Sequence, residues 1–184
     1  MTTLINVSGG PGAGKSTFAA LVYSGLSVLG KRAELITEIA KEYVWDERKI
    51  KITDQLYLLG AQIRRESRVL GKVEFLITDS PAFLSPIYMS LFANKHSSDF
   101  SKAMEGIVLE YYKYCKEEGH RIINAHVKRV NEYDPIGRFQ NKEQAIALDK
   151  HILLTAFYIQ GLELRTVFPT KESSDTFIRS SLLL

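Results

Sequence analysis

Residues 9–17 read Gly-Gly-Pro-Gly-Ala-Gly-Lys-Ser-Thr, and Gly9 through Ser16 fit the spacing G-x-x-x-x-G-K-[ST]. Few stretches constrain a chain more. Four glycines in six residues leave the backbone N–H groups unshielded, so successive amides can converge on one anion. Lys15 adds an ammonium for the β- and γ-phosphates, Ser16 a hydroxyl for Mg2+, and Thr17 opens the helix behind the loop. That helix directs its positive end at the same point. The flanks agree with this reading. Leu4-Ile5-Asn6-Val7-Ser8 is a short apolar strand, and Phe18, Leu21, Val22 and Leu26 recur at helical spacing. Gly9, Gly10, Pro11, Gly12, Ala13, Gly14, Lys15, Ser16 and Thr17 are therefore the expected nucleotide-binding residues, with ATP and Mg2+ as the implied cofactors.

Downstream, apolar strand-like runs alternate with helical ones. Strands are expected at Arg32–Ile36, Glu74–Thr78, Arg121–Val127 and Leu162–Phe168. Helices are expected at Ile39–Val44, Asp54–Leu70, Phe83–Phe92, Lys102–Glu118, Lys142 to about Gln160, and Lys171–Leu183. Alternation of this kind predicts an α/β fold: a five-stranded parallel sheet with helices on both faces, three layers deep. A length of 184 residues suits one such domain, 1–184. The polar, turn-rich stretch 128–141 is its expected lid.

Within these elements, Thr37 is a candidate cap for the second helix and Pro81 a first-turn residue of the fourth. The long third helix is expected to bury Leu56, Leu59, Ile63 and Leu70, with Gln55, Gln62, Arg64, Arg65 and Arg68 on its other faces. The next long helix is expected to bury Met104, Ile107, Val108, Tyr111 and Cys115, and the sixth Ala145, Leu148, Ile152, Ala156 and Ile159.

Composition narrows the function. A formal charge of +3 is too small to announce a nucleic-acid-binding surface. One cysteine, Cys115, forbids an internal disulfide and suits a cytoplasmic setting. No apolar run is long enough to span a bilayer, so no membrane partner is expected. The four histidines have no metal-ligand spacing.

In a parallel sheet of this type, ligands bind beyond the carboxyl ends of the strands. Asp79 follows the third strand, where a carboxylate can hold the Mg2+ shell or orient an attacking oxygen. Glu38 follows the second strand and is a candidate general base, with Glu42 a rival one turn later. Arg129 and Arg138 follow the fourth strand and are candidate cations that neutralise a transferring phosphoryl group. Gln55, Gln62 and Arg65, together with Glu42, are candidates for an acceptor pocket, because an amide can read a base edge with paired donor and acceptor. Tyr43, Trp45 and Phe83 are stacking candidates whose ordinary place is the core.

The succession Gly9–Thr17, then Thr37-Glu38-Ile39-Ala40-Lys41-Glu42-Tyr43, then Ile77-Thr78-Asp79-Ser80-Pro81, then Pro135-Ile136-Gly137-Arg138-Phe139-Gln140 resembles small P-loop kinases related to ribosylnicotinamide kinase. Such kinases are common in bacteriophages, and the likeness is greatest to those that phosphorylate 5-hydroxymethyluracil in DNA. It extends to about the fifth strand. The resemblance implies phosphate binding at Gly9–Thr17, acid or metal duty at Asp79, base duty at Glu38 and lid cations at Arg129 and Arg138. It also implies the cytoplasm of an infected host as the setting. The expected function is transfer of the γ-phosphate of ATP to a nucleoside-type hydroxyl, with the 5-hydroxymethyl group of that DNA base first in line. Free nucleosides or nucleotides are the alternative acceptors. A P-loop ATPase without kinase activity is the reading from another class. Against it stands Ser80, at a position where many motor ATPases carry Glu.

Overall fold

A computed structural model of the chain describes residues 1–92, 96–130, 132–134, 136, 138–158 and 161–182. The elements run β1 (Thr3–Ser8), α1 (Lys15–Val28), β2 (Ala33–Ile36), α2 (Ala40–Trp45), α3 (Ile52–Ser67) and β3 (Phe75–Thr78). They continue as α4 (Leu84–Ser90), α5 (Ser97–Glu117), β4 (Arg121–Val127), α6 (Lys142–Tyr158), β5 (Leu164–Val167) and α7 (Lys171–Ser181). The five strands form one sheet in the order β2-β3-β1-β4-β5. All four pairings are parallel, with Ile5 beside Ile77 on one side and Ile123 on the other. The expected α/β architecture is what forms.

Every residue of β1 and β3 is buried, as strands covered on both faces must be. Side chains alternate between the faces. Ile5, Val7 and Ile77 join Phe18, Val22 and Leu26 of α1 and Phe177 and Ile178 of α7 in one core. There the Phe18 and Phe177 rings meet edge to face, 5.5 Å apart. Leu4 and Leu76 point the other way, into a core with Leu59, Phe83, Met104, Val108 and Ile152 from α3 to α6. The chain leaves β1 for one side of the sheet and crosses to the other on reaching β4. That crossing opens a crevice beyond the carboxyl end of β1, where the phosphate-type loop lies.

Local expectations fail where tertiary partners decide. In α3, Leu56 is 39% exposed, whereas Gln55, Gln62 and Glu66 are buried beside Leu58 and Leu59. The buried face is thus rotated from the purely apolar one. It tolerates polar groups because β3 and α5 offer them hydrogen bonds. In α5, Ile107 faces water at 52% exposure; Met104, Val108, Tyr111 and Cys115 form the buried stripe. Thr37 does not cap α2: the cap position is Ile39, and no side chain caps that end. Pro81 lies before α4, in a turn where its carbonyl accepts from the Leu84 N–H. Phe83 is fully buried core, and Tyr43 is buried beneath the Arg48 guanidinium, whereas Trp45 is exposed. The expected burial of Ile159 and the end of the last helix at Leu183 lie outside the described residues.

Candidate functional site

The loop leaves β1 at Ser8 and re-enters regular structure at Lys15. Its internal turn is closed by the Ala13 N–H donating to the Gly10 carbonyl, at 3.1 Å. Glycine is required at more than one of its positions. Gly12 sits at φ 76°, and a Cβ there would lie 3.2 Å from Arg129 Nη1 and 3.3 Å from Arg138 Nε. Gly14 sits at φ 97°, and a Cβ there would lie 2.6 Å from Pro169 Cβ. Gly14 is also the N-cap of α1, and no side chain satisfies the first turn of that helix. Unpaired N–H groups at a helix N-terminus, with a lysine beside them, form an anion cradle. The Lys15 ammonium is buried within it and donates to the Gly10 carbonyl at 3.3 Å.

Two carboxylates converge on this cradle. Asp79, 2% exposed, accepts from the Ser16 hydroxyl at 2.5 Å through Oδ2. Its Oδ1 is buried without a hydrogen-bond partner among the described residues. That leaves a lone-pair site beside a hydroxyl, the donor set a hydrated Mg2+ takes. Glu38 stands at the end of β2 and lines the same cleft. Burial pushes its carboxyl above the ordinary range, Lys15 pulls it down, and Asp79 pushes it up again. Lys41 and Arg138 also stabilise its charged form. Glu38, Lys15, Asp79 and Arg138 therefore share one electrostatic neighbourhood, although they come from four separate parts of the chain.

The two arginines after β4 lie against the loop's outer side. Arg129 donates to the Pro11 carbonyl at 2.8 Å and pairs with Asp149 at 2.8 Å through Nε. Its Nη1 is buried with no partner among the described residues. Arg138 donates to the Asp134 carbonyl at 2.7 Å, and both guanidinium groups lie 5.9 Å from the Tyr133 ring centre. Among the described residues between Val127 and Lys142 no helix or strand forms; Asn131, Pro135 and Gly137 lie outside the described residues.

Asp149 was not among the expected site residues. It lies on α6 and accepts from the Gly10 N–H at 2.6 Å as well as from Arg129, so it ties three segments together. A signal existed. Asp149 falls four residues after Ala145 and three before Ile152, inside the apolar stripe of its own helix. A carboxylate in such a stripe needs a partner.

A cavity of about 460 Å³ opens beside the loop. Its walls include Pro11, Gly12, Gly14, Lys15, Ser16 and Thr17, whereas Gly9, Gly10 and Ala13 are buried and do not line it. Glu38, Gln55, Gln62 and Arg138 also line it. Glu42 and Arg65 do not; they pair with each other at 3.5 Å, and both are more than one-third exposed. Tyr88, Ser85, Phe139 and Gln140 are among its other wall residues, whereas Asp79 and Arg129 do not line it. Burial, helped by the charge of Glu38, pushes the Tyr88 hydroxyl far up, so it acts only as a neutral group.

No protein-family model and no curated protein matches the chain. Solved structures do match in fold. Deoxyadenosine kinase from M. mycoides with bound dATP is similar over the whole of both chains, at 20% identity and a TM-score of 0.62. The same enzyme with products dCMP and dCDP covers 100% of this chain and 99% of its own, at 17% identity and a TM-score of 0.60. APS kinase from Mycobacterium tuberculosis in complex with AMPPNP and APS is similar over 97% of this chain and 96% of its own. That pair shares 12% identity and a TM-score of 0.52. The chain thus shares its fold with these deoxyadenosine and APS kinases. No helix among the described residues is long and apolar enough to cross a membrane.

Proposed function

We propose that this chain is a phosphotransferase that moves the γ-phosphate of ATP to a hydroxyl of a nucleoside-type acceptor. One observation carries the reading. Glu38 lines the cavity together with Lys15 and Arg138, and the charge of Asp79, held behind Ser16, also acts on it; an in-line acceptor hydroxyl would lie beside these groups. Gly9 to Thr17 would hold the triphosphate, and Ser16 with Asp79 would hold Mg2+, which when bound neutralises the phosphate oxygens. Lys15 compensates charge on the transferring group. Glu38 accepts the proton of the acceptor hydroxyl, and its raised affinity for protons suits that task. Arg138, on a lid spanning about 128–141, adds positive charge at the cavity and excludes water, while Arg129, paired with Asp149 and bonded to the Pro11 carbonyl, holds the loop in place. Gln55 and Gln62 line the acceptor side.

Two acceptors divide the finer reading. A free deoxynucleoside is supported by the cavity volume and by likeness to deoxyadenosine kinase along the full chain. The hydroxymethyl group of 5-hydroxymethyluracil in DNA is supported by the resemblance carried by the Glu38 and Arg138 segments. The latter requires a base turned out of the duplex to enter the cavity. Labelled ATP offered with free nucleosides, with hydroxymethyluracil-containing DNA and with plain DNA separates them. Label on nucleosides alone removes the DNA acceptor, and label on modified DNA alone removes the free one. Rapid ATP hydrolysis with no labelled acceptor overturns the kinase reading.

A further inference from the structure

Beneath the cavity floor, four residues join α3 to β3 and α5. Glu66 is fully buried. The Tyr111 hydroxyl donates to its Oε2 at 2.8 Å, and Gln62 Nε2 donates to its Oε1 at 2.8 Å. The same Nε2 gives its second hydrogen to Thr78 Oγ1 at 2.9 Å, which also accepts from the Ser80 backbone N–H at 3.1 Å. A primary amide holds two N–H donors and one carbonyl oxygen. Both donors of Gln62 are engaged, and Gln62 lines the cavity. Only its carbonyl oxygen is left for a bound molecule, so Gln62 does not offer the paired donor and acceptor expected from its residue type.

Glu66 dictates which end of that amide is nitrogen. An ionised carboxylate only accepts, so the atom 2.8 Å from its Oε1 has to be a donor. Turning the amide over would set two oxygens against each other in a dry interior. We propose that Glu66 is a positioning residue that locks the Gln62 amide as a pure acceptor, so that the cavity selects bases presenting an N–H donor. An exocyclic amino group meets this requirement, as does a ring imide N–H. The inference rests on the nucleoside-acceptor reading above.

The lock depends on charge. Burial lifts the Glu66 carboxyl to about 7, against hydrogen bonds from Gln62 and Tyr111 that favour its charged form. The other titratable groups facing it come from α5. Tyr111, Tyr112 and Cys115 are all pushed up by burial and stay neutral through this range. The α4 segment Leu84–Ser90 carries no charged residue, and β3 presents Thr78. Above neutrality the amide is locked; with Glu66 protonated, both amide orientations find partners.

Two measurements on the full chain test this. In ligand-free protein with 15N-labelled glutamine side chains at pH 8, both Gln62 amide protons should exchange slowly, and Glu66→Gln should release them. Fast exchange in the wild type, or no change in Glu66→Gln, overturns the lock. In kinetics with ATP, deoxyadenosine and deoxycytidine are each compared with the analogue carrying hydrogen in place of the amino group. The wild type should favour at least one amino-bearing partner by about ten- to hundredfold in kcat/KM. Glu66→Gln should bring that ratio close to one, mainly through KM, whereas Tyr111→Phe should keep it. A ratio unchanged in Glu66→Gln, or near one in the wild type, overturns the selection while the kinase reading stands. Failure of every free nucleoside to accept phosphate removes the free-nucleoside acceptor and with it the base selection, and the exchange measurement still decides the lock.

Discussion

At the scale of single residues, the site depends on charges held out of water. Lys15 is buried in the loop with a backbone carbonyl as its hydrogen-bond partner. Lys15→Ala should lower phosphotransfer by about a thousandfold, with far-ultraviolet circular dichroism unchanged; retained transfer would contradict the use of the loop. Glu38→Gln should lower kcat by a factor of about a hundred or more. Because burial raises the Glu38 proton affinity, the wild-type rate should rise with pH along a limb above the usual carboxylate range. An acidic limb at ordinary glutamate values, or one that survives in Glu38→Gln, would assign the base elsewhere. Glu66 supplies a stability test. Its carboxyl is raised from 4.5 to about 7 in the fold, so the native state holds the proton more tightly than the unfolded chain. Stability from this source is fully present below about 4.5 and is lost as pH rises through about 7. The loss is on the order of 3 kcal/mol. Urea unfolding from pH 5 to 8 should show this decline in the wild type and a flatter profile in Glu66→Gln.

At the scale of elements, the junction of loop, α6 and the segment after β4 rests on Asp149. The pair with Arg129 is largely buried, at 14% and 18% side-chain exposure. Asp149→Asn keeps an acceptor for the Gly10 N–H but leaves the guanidinium without its countercharge. Removing one member of such a pair costs about 3 kcal/mol. The melting temperature should fall by roughly 6–12 °C, with a higher KM for ATP because Arg129 no longer ties the loop firmly to α6. A Tm within a degree of the wild type would show that the pair contributes little. A Cβ at Gly10 would lie 2.4 Å from Asp149 Oδ1, so the helix and the loop leave no space between them for a side chain.

For the whole molecule, two cores clamp the sheet from opposite sides, and α7 closes one of them late in the chain. Phe177 is buried against Phe18 of α1. Phe177→Ala should cost about 3–5 kcal/mol by cavity formation, read as a shift of the urea midpoint; a loss below about 1 kcal/mol would mean that α7 is marginal to stability. The loop, the succession of strands and helices along the chain and the parallel sheet were legible from the residues alone, because each rests on local spacing: glycines, alternation and helical periodicity. That succession also brought Glu38, Asp79, Arg129 and Arg138 to the carboxyl edge, since parallel strands deliver the residues at their carboxyl ends to one side of the sheet. Long-range contacts set the buried face of α3, the pairing of Glu42 with Arg65 outside the cavity, the anchor at Asp149 and the direction of the Gln62 amide. These depend on partners far along the chain, such as Tyr111 for Glu66 and Gly10 for Asp149. A polar side chain goes where its hydrogen bonds can be satisfied, and those partners are assembled by the fold rather than by neighbouring residues.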